Sequence, residues 1–302
     1  NSMNVLSLFD GMSCGQIALS KLGKKVDRYY ASEVDKHAIS ITLKNFPDTL
    51  QLGSVIDVDS KNLPNIDLLI GGSPCQSFTF AGKRSGMSTK CNVDILTLEQ
   101  YIEMKSNNFE FEGESYLFWE YVRLLTEIKP KYFLLENVKM ESRWKTLISN
   151  TLGVEPIFIN SNVFGPQNRQ RLYWTNIPVD EIPTSNDAVI GDVLVDDSEI
   201  ISKFYLTAKH HAAFLKSYKW KHNPIDTKSK PLLASYHKQP PHCPYVPCED
   251  SDSGFRRLLP IECERLQGVS DGYTEGVSDT QRYRMLGNGW TVQVIEHILR
   301  NV

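Results

Sequence analysis

The sequence predicts an α/β fold in which a doubly wound, mixed but mostly parallel sheet is joined to a second, smaller domain. Two observations predict it: β-rich apolar runs alternate with helical patterns through the first half of the chain, and a later segment loses that alternation. The length of 302 residues suits one large domain with a smaller partner. With 41% hydrophobic and 23% charged residues, the composition excludes disordered, collagenous and coiled-coil classes.

Four apolar runs are predicted as buried parallel strands because they are β-rich and end in Gly, Asp, Glu or Asn. They are VLSLF (5–9), DRYYASEV (27–34), IDLLIGG (66–72) and KYFLLENV (131–138). Helical patterns lie between them in QIALSKLG (16–23), HAISITLKNF (37–46) and YLFWEYVRLLTEI (116–128). Amphipathic helix is also predicted for RRLLPIECERLQG (256–268) and WTVQVIEHIL (290–299).

Hydropathy, cysteine content and charge limit the cellular compartment and the binding partners that the sequence allows. No run approaches the roughly 18 apolar residues of a membrane span, and the N-terminal residues lack the pattern of a signal peptide. Six scattered cysteines favour a reducing, cytoplasmic compartment. The net charge of −3 argues against a protein whose whole surface is positively charged for binding nucleic acid. Residues 203–238, however, contain eight lysines and one acid, Asp226. This lysine segment is either a solvated face or a phosphate-contacting surface.

Functional residues of an open parallel sheet follow the carboxyl ends of its strands. FDGMSCG (9–15) has two glycines for a tight turn, and Asp10 suits an ammonium group. Glu33 ends the second strand, where an acid binds a ribose hydroxyl pair. Because GxGxxG is absent, these residues predict a nucleoside cofactor other than a nicotinamide dinucleotide. The alternative is an ordinary strand-to-helix turn.

A thiol and a carboxylate that could take part in catalysis follow two further strands. In GGSPCQS (71–77), Pro74 fixes its own φ and restrains Ser73, so that Cys75 is delivered as a nucleophile at a strand end. The alternative is a small buried apolar residue. Glu136 ends KYFLLENV, where a carboxylate is costly unless it is paired or used in function.

The segment QNRQR (167–171) is predicted as a strand whose alternation places Gln167, Arg169 and Arg171 on one face. Guanidinium groups on that face would hold Glu136 and reach a base or phosphate. A zinc cluster of His237, His242, Cys243 and Cys248 is not favoured, because the spacing matches no standard finger and prolines dominate the segment.

Seven motifs in this order closely resemble those of the DNA (cytosine-5) methyltransferases, and a compact bacterial or prophage member is preferred. They are FDG (9–11), SEV (32–34), GGSPCQS (71–77), ENV (136–138), QNRQR (167–171), RRLLPIECERLQG (256–268) and LGNGW (286–290). The resemblance implies the Rossmann-like fold of S-adenosylmethionine-dependent methyltransferases. It places the catalytic and cofactor-binding domain at 1–175 and 279–302 and a target-recognition domain at 176–278.

The resemblance implies methyl transfer from S-adenosylmethionine to carbon 5 of a cytosine that is flipped out of duplex DNA at a specific sequence. Cys75 would add covalently to carbon 6. Glu136 would hydrogen-bond or protonate ring nitrogen 3. Arg169 and Arg171 would position Glu136 and the base. No metal is implied, and S-adenosylhomocysteine would be the product.

Two larger sets of residues follow from the same resemblance. The cofactor would be held by Phe9, Asp10, Gly11, Met12, Ser13, Cys14, Glu33, Val34, Ser54, Val55, Asn288, Gly289 and Trp290. Double-stranded DNA would be contacted by Gln76, Ser77, Arg84, Gln167, Lys219, Lys221 and Arg256. A cognate restriction endonuclease is a candidate partner, and the implied location is the bacterial cytoplasm, with no membrane.

The chain departs from the family pattern at three places. Gly53-Ser54-Val55 replaces Gly-Asp-Ile or Gly-Asp-Val, so either Ser54 or Asp57 would contact adenine. The family's mobile loop of roughly twenty residues after Cys75 is interrupted here by an insertion near 90–111. Gly289-Trp290 replaces Ser-Val. The alternatives are a tRNA cytosine-5 methyltransferase and a non-catalytic DNA-binding relative.

Overall fold

The computed structural model describes residues 1–73 and 75–302; Pro74, which we expected to orient Cys75, lies outside the described residues. The strands are β1 (Met3–Leu8), β2 (Val26–Ser32), β3 (Leu50–Gly53), β4 (Leu68–Gly72), β5 (Thr79–Lys83), β6 (Lys90–Asp94), β7 (Glu110–Phe111), β8 (Tyr132–Asn137), β9 (Ile157–Asn160), β10 (Gln170–Thr175), β11 (Tyr245–Pro247) and β12 (Phe255–Arg257). The helices are α1 (Cys14–Lys21), α2 (Lys36–Asn45), α3 (Leu98–Ser106), α4 (Phe118–Ile128), α5 (Ser142–Leu152), α6 (Ser198–Ile201), α7 (Ala208–Phe214), α8 (Pro260–Leu266), α9 (Asp279–Asn288) and α10 (Val292–Leu299).

The predicted mixed, mostly parallel sheet is confirmed. Seven strands lie in the order β3-β2-β1-β4-β8-β10-β9. The first five are mutually parallel, and β10 runs antiparallel to both β8 and β9. Leu8 pairs with Gly71, and Gly72 pairs with Glu136. This register brings the ends of β1, β4 and β8 to one edge of the sheet, which is where the predicted motifs follow.

Alternation along the strands separates two hydrophobic clusters. Val5 belongs to one cluster and its neighbour Leu6 to the other, and Leu134 and Leu135 divide in the same way, because successive side chains of a strand point to opposite faces. Tyr236, within the predicted smaller domain, shares the Val5 cluster. This part of the predicted target-recognition region therefore packs onto the core of the sheet, while the boundaries at 176 and 279 stay a prediction.

The helix predicted for 256–268 is shorter than expected. Phe255–Arg257 forms β12, which pairs antiparallel with β11, and α8 begins at Pro260. Proline suits the first helical position because its missing N–H has no helical acceptor there. The Glu262 side chain accepts from the Leu259 N–H at 2.7 Å and so completes the helix start.

The insertion that interrupts the loop after Cys75 folds into regular secondary structure. The insert, defined here as residues 79–111, contains the three-stranded antiparallel sheet β6-β5-β7 and the helix α3. Thr97 and Gln100 form a capping box at the start of α3. Phe80 and Tyr101 are buried in the same cluster as Trp119 of α4. The insert therefore has its own backbone pairing and apolar contacts, which a loop over DNA would lack.

Within the described ranges 1–73 and 75–302, no helix combines the length and the apolar character needed to cross a bilayer.

Candidate functional site

A cavity of about 580 Å³ lies at the carboxyl edge of the sheet. Eleven of the predicted cofactor residues line it: Phe9, Asp10, Gly11, Cys14, Glu33, Val34, Ser54, Val55, Asn288, Gly289 and Trp290. Glu136, Arg169 and Arg171 line the same cavity. The fold thus brings together groups from five strand ends and from the end of α9, which are far apart in the sequence.

Met12 and Ser13 are not among the described residues that line the cavity, so their part in holding the cofactor stays a prediction. Met12 is buried in the hydrophobic cluster that contains Val5. Ser13 is also buried, and its hydroxyl donates to Gln16 Oε1 at 3.2 Å. Since Gly11 has a φ of +57°, the chain turns sharply there, and the next two side chains lie inside the protein instead of along the cavity.

Asp10 presents one occupied and one available carboxylate oxygen. Its Oδ1 accepts from the Ser7 hydroxyl at 2.6 Å and from the Tyr29 hydroxyl at 2.8 Å. The buried Oδ2 has no hydrogen-bond partner among the described residues. Burial raises the pKa of Asp10 to about 6, because the charged form is desolvated. A buried acid with an unused oxygen on a cavity wall fits a cationic ligand.

Glu33 connects the ends of β1 and β2. Its Oε1 accepts from the Gly11 N–H at 2.8 Å, and its Oε2 accepts from the N–H groups of Val34 and Asp35 at 2.9 Å. Carboxylate oxygens have lone pairs left after these three bonds, so ribose hydroxyl groups are still possible donors. Glu33 also fixes the turn that presents Asp10.

The cavity has apolar surfaces suited to a flat ring. Val34 is 70% exposed and Ile56 is 38% exposed, although both are large apolar side chains, and both line the cavity. An exposed pair of this kind on a cavity wall is typical of a ligand site. Of the two possible adenine contacts, Ser54 lies on the cavity wall, whereas Asp57 is not among its described lining residues.

Trp290 lies against a glycine of β4. A Cβ built on Gly72 would come within 2.8 Å of the Trp290 Nε1 atom, so any other residue at position 72 would displace the indole. Arg169 fixes the adjoining backbone: its Nη2 donates to the carbonyl groups of Gly287 and Gly289, at 2.8 and 2.9 Å, and its Nη1 donates to that of Leu232 at 2.6 Å.

The prediction that Gln167, Arg169 and Arg171 share one face of a strand is wrong, because β10 begins at Gln170. Arg169 precedes the strand and bonds to carbonyl groups, and Arg171 approaches the acid. The distance from Arg171 Nε to Glu136 Oε1 is 4.0 Å. Burial raises the pKa of Glu136 above its ordinary value, and the charges of Arg171 and Arg169 oppose that shift.

Cys75 is near Glu136 along the sheet but its thiol is turned away from the cavity. The side chain is buried in the cluster that contains Trp119, Sγ donates to the Ser77 carbonyl at 2.9 Å, and burial raises the pKa of the thiol to about 12. Asn137 Nδ2 donates to the Cys75 carbonyl at 2.5 Å. Among the described residues that line the cavity, Cys75 is absent. Attack on a base in the cavity therefore requires residues 75–77 to move.

The predicted DNA contacts divide into exposed and buried side chains. Gln76, Arg84, Lys219 and Lys221 are exposed, and Ser77 is half-buried. Gln167 and Arg256 need correction because both are buried. Gln167 bonds to Gln267 and to the Leu232 N–H, and Arg256 forms two bonds to Glu262, at 2.8 and 2.9 Å. Their polar groups are used inside the protein, which leaves them no reach toward DNA.

The His237–Cys248 segment shows no metal geometry. Across residues 1–73 and 75–302, no group of three or more His, Cys, Asp or Glu side chains is placed to hold a metal ion. Cys243 is buried, and the His237 ring nitrogen Nδ1 lies 3.2 Å from the Ala234 carbonyl.

Several cavity residues were not predicted from the sequence. They include Ile56 and, shortly after the insert, Gly113, Glu114, Tyr116 and Leu117. The helical pattern beginning at Tyr116 was recognised, but its first residues could not be assigned to a site, because the length of the insert obscured their relation to Cys75. Exposed apolar character at Ile56 is visible only in the folded chain.

The strand order β3-β2-β1-β4-β8-β10-β9, with the cavity at the carboxyl edge of the sheet, defines an α/β, Rossmann-like methyltransferase fold. The family model for C-5 cytosine-specific DNA methylases matches residues 3–302. The chain therefore belongs to the C-5 cytosine-specific DNA methylase family.

Known relatives agree with this assignment. The type II methyltransferase M1.ScrFI of Lactococcus lactis subsp. cremoris is 28% identical over 324 residues, which cover 97% of this chain and 76% of that protein. The orphan methyltransferase M.SPRI of Bacillus phage SPR is 34% identical over 193 residues, 60% of this chain and 39% of that protein. The crystal structure of S. pombe Dnmt2 methyltransferase is similar in fold, with a TM-score of 0.75 and 17% identity, over 99% of this chain and 98% of that chain.

Proposed function

We propose that this chain transfers a methyl group from S-adenosylmethionine to carbon 5 of a cytosine flipped out of duplex DNA at a specific sequence, through a covalent adduct with Cys75. The single observation that carries the proposal is the shared cavity. The groups suited to a cationic nucleoside, Asp10 and Glu33, line the same space as Glu136 and Arg171. A cofactor and a base held there would be adjacent.

The residues present fit S-adenosylmethionine. Asp10 Oδ2 is the acceptor for the cofactor's ammonium group, since it is buried and has no other partner among the described residues. Glu33 accepts from the ribose hydroxyl groups, and Val34 and Ile56 enclose the adenine. Trp290, which packs against Gly72, forms a further part of the cavity wall. When bound, the cofactor supplies an electrophilic methyl group.

The chain's own residues activate the base. Once residues 75–77 have moved toward the cavity, Cys75 loses its proton to solvent and its thiolate adds to carbon 6, while Glu136, whose pKa is raised by burial, donates a proton or hydrogen bond to ring nitrogen 3 of cytosine. Arg171, whose Nε lies 4.0 Å from Glu136 Oε1, faces the acid with its positive charge. Arg169 acts as a positioning residue through the carbonyl groups of Gly287 and Gly289, which fix the segment that carries Trp290. A stacked base cannot reach this cavity, so the target is flipped out.

The lysine segment is the proposed contact with the DNA backbone. Lys219 and Lys221 are exposed, and Tyr218 beside them is 93% exposed. Ammonium groups in such a setting neutralise phosphates without reading sequence. Arg84, on the turn between β5 and β6, is a further proposed contact. A cognate restriction endonuclease stays a prediction.

Bisulfite sequencing tests the proposed function. Plasmid from a bacterial host without its own cytosine methylation should contain protected cytosines within one short sequence when the wild-type chain is expressed. Plasmid from cells expressing the Cys75→Ala variant should be fully converted. Protected cytosines in tRNA but not in plasmid would favour the RNA alternative, and DNA binding without any methylation would favour the non-catalytic one.

We expect the affinity for S-adenosylmethionine to fall as the pH drops below about 6. The carboxyl of Asp10 has a pKa of about 6 in the ligand-free protein, and a bound cation favours its ionised form. Below that pH, binding must deprotonate Asp10, which costs roughly tenfold in affinity per pH unit. Calorimetric titration between pH 5 and 8 measures this dependence.

Asp10→Asn tests the assignment of that pH dependence. The variant should bind the cofactor more weakly at pH 8 and should show a nearly flat profile toward pH 5. Asp27→Asn, which removes an exposed carboxyl outside the cavity, should retain the wild-type profile. A wild-type affinity that is constant from pH 8 to pH 5 would exclude Asp10 as the partner of the cation.

A further inference from the structure

We propose that the insert and α4 together position the cofactor pocket through Arg123, which holds the turn that presents Ile56. This inference rests on the proposed function, because it concerns affinity for S-adenosylmethionine. Arg123 is a positioning residue, since it reaches the cofactor only through the backbone that it binds. The insert contributes Lys105 and two aromatic side chains to the same arrangement.

The first step is the contact of Arg123 with the cavity wall. Its Nη2 donates to the carbonyl groups of Val55 and Val58, at 3.2 and 3.1 Å. These two carbonyl groups flank Ile56, which belongs to the short 3-10 helix Val55–Asp57. One guanidinium nitrogen therefore fixes both sides of the residue that forms an apolar wall of the cavity.

The second step is the buried acid that orients the guanidinium. Glu120 of α4 is fully buried, and both of its oxygens lie 3.3 Å from Arg123 Nε. Lys105 of α3 donates to the same carboxylate from 3.0 Å, with 41% of its side chain exposed. The ammonium of Lys105 partly neutralises Glu120, and Glu127 accepts from Arg123 Nη1 at 3.2 Å, so that Arg123 remains extended toward Val55 and Val58. Loss of that ammonium should draw the guanidinium toward the acid.

The third step is an independent aromatic contact between the insert and the cavity. Tyr116 lines the cavity. Phe111 of β7 stacks on it, with ring centroids 4.7 Å apart and an interplanar angle of 17°. Tyr101 of α3 lies on it as well, with centroids 6.4 Å apart. Tyr116 is thus contacted by side chains of the insert, and Ile56 is held through Arg123, whose acid partner Glu120 also binds Lys105 of the insert.

The test compares Arg123→Lys, Lys105→Met and Lys105→Arg in the full chain. Arg123→Lys keeps a cation near Glu120 but has no planar fork to bridge the acid and two carbonyl groups. We expect it to raise the Kd for S-adenosylhomocysteine and the KM for S-adenosylmethionine about tenfold, with kcat at saturating cofactor and the Kd for DNA changed less than about twofold. Lys105→Met should raise the same KM about threefold, and Lys105→Arg should restore it.

Lys90→Met is the matched control, because it removes a lysine of the same insert whose partner, Glu112, is on the surface. It should leave the KM for S-adenosylmethionine unchanged. Variants that lower the melting temperature but keep the wild-type Kd for S-adenosylhomocysteine would overturn the inference, since that result means a structural role alone. A wild-type chain that does not bind S-adenosylhomocysteine would instead overturn the proposed function, and this inference with it.

Discussion

Duplex DNA with 5-fluorocytosine at the target position should become covalently attached to the wild-type chain, and the complex should survive denaturing electrophoresis. Addition of the Cys75 sulfur to carbon 6 makes carbon 5 nucleophilic, and carbon 5 then takes the methyl group. Ordinary cytosine next loses the proton at carbon 5, which expels the sulfur, but fluorine cannot leave in that way. The bond between sulfur and carbon 6 therefore persists, and its formation should require S-adenosylmethionine.

Three variants test which side chains take part in this reaction. Cys75→Ala should abolish the adduct and leave cofactor binding intact, because the thiol does not line the cofactor cavity among the described residues. Cys91→Ala removes a half-buried cysteine of the insert and should form the adduct normally. Glu136→Gln should slow adduct formation by about 10² to 10⁴, the range for loss of a positioned acid.

Two results would contradict the assignment of Cys75 as the nucleophile. One is an active wild-type enzyme that gives no adduct with fluorinated DNA. The other is methylation of normal DNA by the Cys75→Ala variant. An adduct on tRNA instead of duplex DNA would keep Cys75 as the nucleophile and change the substrate.

Arg256→Met should lower the free energy of unfolding by about 3–5 kcal/mol, because it leaves the buried Glu262 carboxylate without its cation. The two terminal nitrogens of Arg256, Nη1 and Nη2, both donate to the Glu262 carboxylate. The Arg256 side chain is 4% exposed and that of Glu262 is 0% exposed. Glu262 also accepts from the Val195 N–H at 2.8 Å, so the same carboxylate connects α8 to an earlier segment. Urea denaturation followed by circular dichroism measures the loss.

Arg143→Met is the control for this stability prediction. Arg143 pairs with Glu141 at 2.8 Å, but both side chains are about two-thirds exposed, at 69% and 66%. Solvent screening limits such a pair to about 0–1 kcal/mol. The double variant Arg256→Met/Glu262→Met should be more stable than Arg256→Met alone. A cost below about 1 kcal/mol for Arg256→Met would contradict the assignment of this buried ion pair as a stabilising contact.

The candidate site could largely be predicted from sequence where a residue follows a strand directly. Asp10, Glu33 and Glu136 lie at or next to the ends of β1, β2 and β8, and all three line one cavity. Strand periodicity locates those ends, and parallel order gathers them at one edge of the sheet. The side chains of Met12 and Ser13 are buried after the left-handed turn at Gly11, and the sequence of the motif does not show that turn.

Side-chain partners that are distant in the sequence could not be predicted in this way. Arg169 bonds to Gly287, 118 residues away, and Gln167 bonds to Gln267, 100 residues away. Both were expected to act on a base or on DNA, because a polar side chain looks available until its acceptor is known. The insert was likewise expected to interrupt a mobile loop, but it folds on α4 through aromatic contacts that have no short-range signature.

The amino-acid sequence alone was enough to predict the alternation of strand and helix in the first half of the chain and the motifs that follow the ends of those strands. These features depend on local periodicity and on the side chains that follow each strand. Only the tertiary structure decided which polar groups were available. It buried Arg256 and Gln167, turned the Cys75 thiol into an apolar cluster and left one oxygen of Asp10 without a partner among the described residues. The reason is that burial and hydrogen bonding are properties of neighbours in space, and most of those neighbours are far apart along the chain.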